Sequence, residues 1–200
     1  MTETATLQVF FVEDNELLSF WLRNFLSKVD GIQIVGDASS GVEARQGIEA
    51  TRPDIALVDI GLPDIDGIQV TRHVKGLLPN LKVIILTASD SEDDIFAALE
   101  AGADGYVLKG EESTHLEQAI KSVRAKSVWL DPAIAKLVLN SRRFNPRNKL
   151  RGEESHGLPL SEAELARLAR LASGGCENGV CLVEPEFVAR LRQIKLNQPQ

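Results

Sequence analysis

The sequence predicts an α/β fold, a doubly wound five-stranded parallel sheet, followed by a small helical C-terminal segment. Three observations predict it. Short, near-continuous apolar runs alternate with helical patterns through residues 1–126. Runs of this kind, without a polar alternate face, are those of strands covered on both sides. The alternation stops after Lys126, and the charge changes sign at the same place. Residues 1–126 hold 11 Lys/Arg against 21 Asp/Glu, a net of −10, whereas residues 127–200 hold 11 against 8, a net of +3.

The strands are expected at Gln8–Val12, Ile32–Val35, Ile55–Val58, Val83–Leu86 and Tyr106–Leu108. Between the first two, Leu17, Leu18, Trp21, Leu22, Phe25 and Val29 recur at helical spacing. The fourth helix opens with Ser91–Asp94, a capping residue followed by acids that the helix dipole favours. The fifth repeats Leu116, Ala119, Ile120 and Val123. Strand–helix alternation implies right-handed crossovers and, in the order 2-1-3-4-5, a cluster of functional residues at the carboxyl ends of the strands.

The remainder divides into a linker, residues 127–157, and a helical segment, residues 158–200. In the linker, Asp131 caps a short helix with Pro132 at its first position, running through Ala133–Asn140. Ser141–Gly157 carries Pro, Gly, Asn and the basic cluster Arg142, Arg143, Arg147, Lys149 and Arg151, which suits either a solvated linker or a polyanion. Leu160–Ser173 is an amphipathic helix with a Ser161/Glu164 capping box and Leu165, Leu168, Ala169 and Ala172 along one face. A last helix is expected from Pro185 to about Leu196.

Composition excludes several classes. With 44% hydrophobic and 26% charged residues the chain is globular. No apolar run approaches the roughly 18 residues of a membrane helix, and the start has no signal-peptide pattern, so a cytoplasmic protein is expected. Cys176 and Cys181 are read as two small buried thiols, since a zinc site lacks further ligands. No GxGxxG follows a strand and no GxxxxGK[ST] occurs, which argues against dinucleotide and P-loop sites.

What the strand ends carry is more specific. The apolar runs finish on Glu13 and Asp14, on Asp59, on Thr87 and on Lys109. Three carboxylates brought together cannot all stay ionised without a counter-charge. Mg²⁺ answers that need, because it takes oxygen ligands from one or two carboxylates and leaves positions for phosphate oxygens. Asp59 is then available as a nucleophile that forms an aspartyl phosphate. Lys109 and the Thr87 hydroxyl could serve two phosphoryl oxygens, and Ala88 is small enough to admit them. The DIDG run Asp64–Gly67 does not directly follow a strand, unlike the dehalogenase-type phosphatase motif. Asp64 and Asp66 are therefore read as loop acids, with Gly67 opening the third helix.

At these residues the chain resembles the receiver domain of two-component response regulators. The resemblance covers residues 7–126 and rests on FVEDN, LVDIGLPDIDG, LTAS and GADGYVLKG. It implies phosphorylation of Asp59 by a sensor histidine kinase, Mg²⁺ held by Glu13, Asp14, Asp59 and the Gly61 carbonyl, and a signalling role rather than a dedicated metabolic activity. It also implies that Thr87 and Tyr106 act as a coupled pair in which the ring turns inward, and that the face of helix four, strand five and helix five changes partners. Gly110 departs from the proline that many receivers carry after the lysine. The segment LPLSEAELARLARLASGGCEN is similar to the start of a LuxR/NarL-type helix-turn-helix, shortened here. That similarity implies a phosphorylation-dependent transcriptional regulator that binds DNA as a phosphorylation-favoured homodimer. Arg142, Arg143, Arg190, Arg192 and Lys195 are the candidate phosphate contacts. The alternative is a phosphorylation-switched protein-interaction module with a degenerate effector segment.

Overall fold

A computed structural model describes residues 6–89, 91–110, 113–125, 127–140, 166, 168–170, 172 and 173. Six parallel strands form one sheet: β1 (Leu7–Val12), β2 (Ile32–Ala38), β3 (Ile55–Asp59), β4 (Lys82–Thr87), β5 (Gly105–Leu108) and β6 (Trp129–Leu130). Their order is β2-β1-β3-β4-β5-β6. The helices are α1 (Glu16–Leu26), α2 (Gly41–Thr51), α3 (Gly67–Leu77), α4 (Glu92–Ala101), α5 (Ser113–Arg124) and α6 (Pro132–Asn140). The sheet follows the expected order for its first five members and then differs by one strand. Only two residues long, β6 has too little apolar length to be read as a strand.

Local chemistry starts and stops these elements. Asn15 accepts from the Leu17 and Leu18 amides at 3.0 and 3.1 Å and caps α1. Asp66 accepts from Gln69 N at 2.8 Å and caps α3. Ser91 stands at the N-cap of α4 but makes no capping bond, leaving its first-turn acids to meet the helix dipole. That helix ends at Gly102 in the left-handed region, φ 104°, where a side chain would be strained.

The core is continuous across the sheet. Every residue of β3 is buried, as are Val9–Val12 and Val83–Thr87. The apolar residues read for α1 divide between a buried and an exposed side. Leu22 and Leu26 are its buried residues, while Leu17, Leu18, Phe20 and Trp21 are exposed. An apolar residue at helical spacing fits either face, and here the helix offers two.

Beyond residue 126 the chain returns to the sheet. Trp129 and Leu130 pair with Gly105 and Tyr106, and α6 packs against α4 and β5. Trp129, Leu130, Ile134, Ala135 and Val138 join the hydrophobic core. Leu168 is also fully buried in that cluster and Ala172 packs against it, whereas Ala169, assigned to the same helix face, is exposed. The basic cluster from Arg142 to Arg151, Cys176 and Cys181, and Arg190, Arg192 and Lys195 lie outside the described residues. No described helix is long and apolar enough to cross a membrane.

Candidate functional site

The carboxyl ends of β1, β3, β4 and β5 bring the predicted residues together. Because β1 and β3 are neighbours, Glu13, one residue past β1, and Asp59, the last of β3, share a side of the sheet. Both are nearly covered, 3% and 5% exposed, while Asp14 faces solvent. One carboxylate oxygen from each of Glu13, Asp14 and Asp59 lies within 4.8 Å of the others.

Lys109, just past β5, reaches into this group. Its Nζ stands 2.7 Å from Asp59 Oδ2, 3.0 Å from Glu13 Oε1 and 2.8 Å from Glu13 Oε2. The last contact is electrostatic only, since Glu13 Oε2 is buried without a hydrogen-bond partner. Burial pushes the Glu13 carboxyl above the ordinary glutamate range, and the Asp59 charge adds to the push. The Lys109 hydrogen bond and charge, with the Asn15 amide, pull the other way without prevailing. One ammonium therefore serves two carboxylates with a third alongside, and a buried oxygen without a hydrogen bond marks where further positive charge fits. The hard oxygen donors Glu13, Asp14 and Asp59 suit Mg²⁺.

The loop after β3 is shaped around Asp59. A Cβ at Gly67 would fall 1.9 Å from the Asp59 carbonyl oxygen, so only glycine lets α3 start this close. Gly61 lies beside the carboxylate, since a Cβ there would stand 3.8 Å from Asp59 Oδ2. Asp64 is more than a loop acid. Its oxygens accept from the amides of Gly41 at 2.6 Å and Val42 at 3.0 Å, capping α2 from another loop. These bonds hold its carboxyl below the usual aspartate range.

On the other side Thr87 is buried, 2% exposed, and its Oγ1 accepts from Ser89 N at 3.0 Å. Ala88, beside it, is exposed. Tyr106 has no exposed surface, and its hydroxyl lies 3.4 Å from the Ser89 carbonyl. Ser89 Oγ donates to Asp94 at 2.8 Å, wiring the loop to the first turn of α4. Sequence reasoning missed Ser89, although LTAS contains it. Gly110 follows Lys109 with φ 91°, and the described residues contain no cis peptide bond.

A cavity of about 390 Å³ opens beside the acids, lined by Leu18, Trp21, Val107, Lys109 and Leu116 among others. Leu18 and Trp21, on the exposed side of α1, form part of its wall.

The acid group, the shared lysine and the buried threonine lie together at the carboxyl ends of β1, β3, β4 and β5. Residues 9–121 match the model of the response regulator receiver domain. The chain belongs to the response regulator family. Response regulator protein VraR of Staphylococcus aureus (strain Mu3 / ATCC 700698) is 31% identical over 170 residues, spanning 84% of this chain and 77% of that protein. A LuxR-family two-component response regulator from Aurantimonas sp. SI85-9A1 superposes with a TM-score of 0.64 at 30% identity, covering 66% of this regulator and 94% of that chain. The RcsB response regulator of Salmonella typhimurium, from a study of its DNA interaction, shares the fold with a TM-score of 0.64 at 18% identity, over 95% and 90% of the two chains.

Proposed function

We propose that this response regulator accepts a phosphoryl group on Asp59 from a sensor histidine kinase or a small phosphodonor, and that its phosphorylated state controls DNA binding as a homodimer. One observation carries the first part: Asp59 sits nearly buried among acids with the Lys109 ammonium 2.7 Å from its Oδ2. A carboxylate oxygen of Asp59 attacks phosphorus as the bond to the donor's imidazole nitrogen breaks, giving an acyl phosphate and a histidine that leaves with the electron pair. Lys109 holds the carboxylate in place and then faces the added negative charge. The Thr87 hydroxyl accepts from Ser89 through its oxygen and so keeps its proton to donate. Glu13, Asp14 and Asp59, with the Gly61 carbonyl, would hold Mg²⁺, which when bound supplies positive charge for the phosphoryl oxygens. The exposed Leu18 and Trp21 on α1, which line the cavity, offer an apolar rim for a phosphodonor protein. The family's signalling role supports a cytoplasmic protein.

The test is intact-mass analysis after incubation with acetyl phosphate and Mg²⁺. One phosphoryl group should be added to the parent chain and none to Asp59→Asn; wild-type labelling of that variant would overturn the assignment. DNA output rests on the LuxR-family likeness and on the positive charge of residues 127–200. A second reading is favoured by Leu168, which is buried in the receiver's own cluster. On that reading the C-terminal segment acts as a protein-docking module. Fluorescence anisotropy on labelled duplex DNA, with and without beryllofluoride at two salt concentrations, separates the two. Binding that falls steeply with salt supports the DNA output, and no binding in either state supports the module.

A further inference from the structure

The side of the sheet beyond β5 is covered by the chain itself. Strand β6 is hydrogen-bonded to β5 where β5 carries Tyr106. Asp131 N donates to the Tyr106 carbonyl at 3.0 Å, and Trp129 N donates to the Asp104 carbonyl at 3.1 Å. Asp131 is 1% exposed and works in two directions. Its Oδ1 accepts from Ala133 N at 3.0 Å and caps α6, while its Oδ2 lies 3.0 Å from Nδ1 of His115 on α5. The turn between β6 and α6 is thus latched to α5. Trp129 anchors the strand with no exposed surface, its ring 6.3 Å from the His115 ring. Its indole Nε1 has no hydrogen-bond partner among the described residues, so burial of the ring holds it there.

Tyr106 connects this strap to the acid pocket. Side chains alternate along β5, and the Tyr106 hydroxyl reaches Ser89 in the loop before α4, so the ring lies on the α4 side of the sheet. Helix α6 packs against both α4 and β5, with Ile134, Ala135 and Val138 buried. The ring has no exposed surface, and the strap is hydrogen-bonded to the same residue through its carbonyl. Ser89, the partner of the hydroxyl, in turn donates its amide to Thr87 Oγ1. A short run of direct contacts therefore joins the phosphoacceptor pocket to the strap: Thr87, Ser89, Tyr106, then Asp131 through the Tyr106 carbonyl.

We propose that residues 128–140 form a strap that docks on the inward conformer of Tyr106, so that occupancy of the phosphoacceptor pocket and docking of the strap strengthen each other. The proposal rests on the phosphoacceptor reading of the pocket. It gives the face of α4 and β5 an occupant from within the chain, where the resemblance implies a face that changes partners. It also gives the linker to the C-terminal segment a starting point whose position depends on Tyr106. Reciprocity follows from linkage: if occupancy favours the inward ring and the strap binds only that ring, loosening the strap weakens occupancy by the same factor.

The test is hydrogen exchange by mass spectrometry on the full chain, with Mg²⁺ alone and with Mg²⁺ plus beryllofluoride. Peptides spanning Trp129–Val138 should exchange more slowly with the mimic, together with those spanning Thr87–Ser89 and Tyr106. The variant His115→Ala removes the latch at a half-buried position and leaves the apolar core intact. It should speed exchange of the strap and weaken beryllofluoride binding about fivefold or more. Ile134→Asp, which drives α6 off, should do both more strongly, and His115→Ala carries the test should that variant fail to fold. Slowed exchange around Asp59 and Thr87 with an unchanged or faster strap would overturn the coupling and leave the phosphoacceptor reading standing. No response at either place would overturn both.

Discussion

The two ends of the sheet are built from the same ingredients in opposite proportion. At the amino ends of β4 and β5, Asp104 is 6% exposed and bound by two lysines, Lys75 at 2.9 Å and Lys82 at 3.0 Å. It also accepts from Val83 N at 3.0 Å. There one carboxylate has more positive partners than it needs, and the cluster staples α3, β4 and β5. At the carboxyl ends one lysine serves Glu13 and Asp59, with Asp14 alongside and Glu13 Oε2 left without a hydrogen bond. The lower cluster has positive charge to spare; the upper is short of it. A buried lysine–aspartate contact is therefore no sign of function by itself. The ratio of the charges decides.

Breaking each end should give different outcomes. The largest effect is expected from Asp104→Ala, which leaves two lysines facing each other without their acid. Urea unfolding should show a loss of about 3 kcal/mol, at the low end for a broken buried pair because Lys82 is partly exposed. Asp59→Ala, by contrast, removes one of three like charges and leaves Lys109 paired with Glu13. In metal-free buffer it should cost little stability, and a loss matching that of Asp104→Ala would erase the distinction between the two ends.

Next in size is Glu13→Gln, which should weaken Mg²⁺ binding by at least the roughly 10–100-fold seen when a metal site loses even an outer partner. Calorimetric titration measures it. The same residue sets a pH dependence. Its raised value means that the folded chain holds the proton more tightly than the unfolded chain does. The cost of burying the charge is therefore absent below the ordinary glutamate range and grows as pH rises to the raised value. Because Mg²⁺ needs the ionised form, its apparent affinity should begin to fall on acidification above the ordinary glutamate range, and Glu13→Gln should flatten that profile. The smallest effect belongs to Asp64→Asn. Its carboxyl is held low, so its stabilisation is present above the ordinary aspartate range and lost as pH falls through the depressed value. Melting temperatures of parent and variant should differ at neutral pH and converge in acid.

Much of this was readable from the residues, for a physical reason. A parallel strand covered on both faces leaves a dense apolar run, and a polar residue ending that run must sit at the sheet's carboxyl edge. Glu13, Asp59, Thr87 and Lys109 announce themselves in that way, and strand order then brings them into one group. Three features were not readable. Asp64 looks like any loop acid because its partners, the amides of Gly41 and Val42, are 23 and 22 residues away. Strand β6 is too short to carry a period, and its burial depends on docking against β5. The exposed outer face of α1 follows the same helical spacing as its buried face, so periodicity alone could not separate Leu17 and Trp21 from Leu22.

The central claim is that the upper acid group is completed by a divalent cation and the lower cluster is not. Thermal unfolding of the full chain across a Mg²⁺ series, in parallel with Glu13→Gln, tests it most directly. The parent should melt progressively higher, with stabilisation near 2.7 kcal/mol once Mg²⁺ reaches a hundred times its dissociation constant, and the variant should need far more metal for the same shift. Identical curves for the two proteins, or no rise for the parent at any Mg²⁺ concentration, would contradict the account.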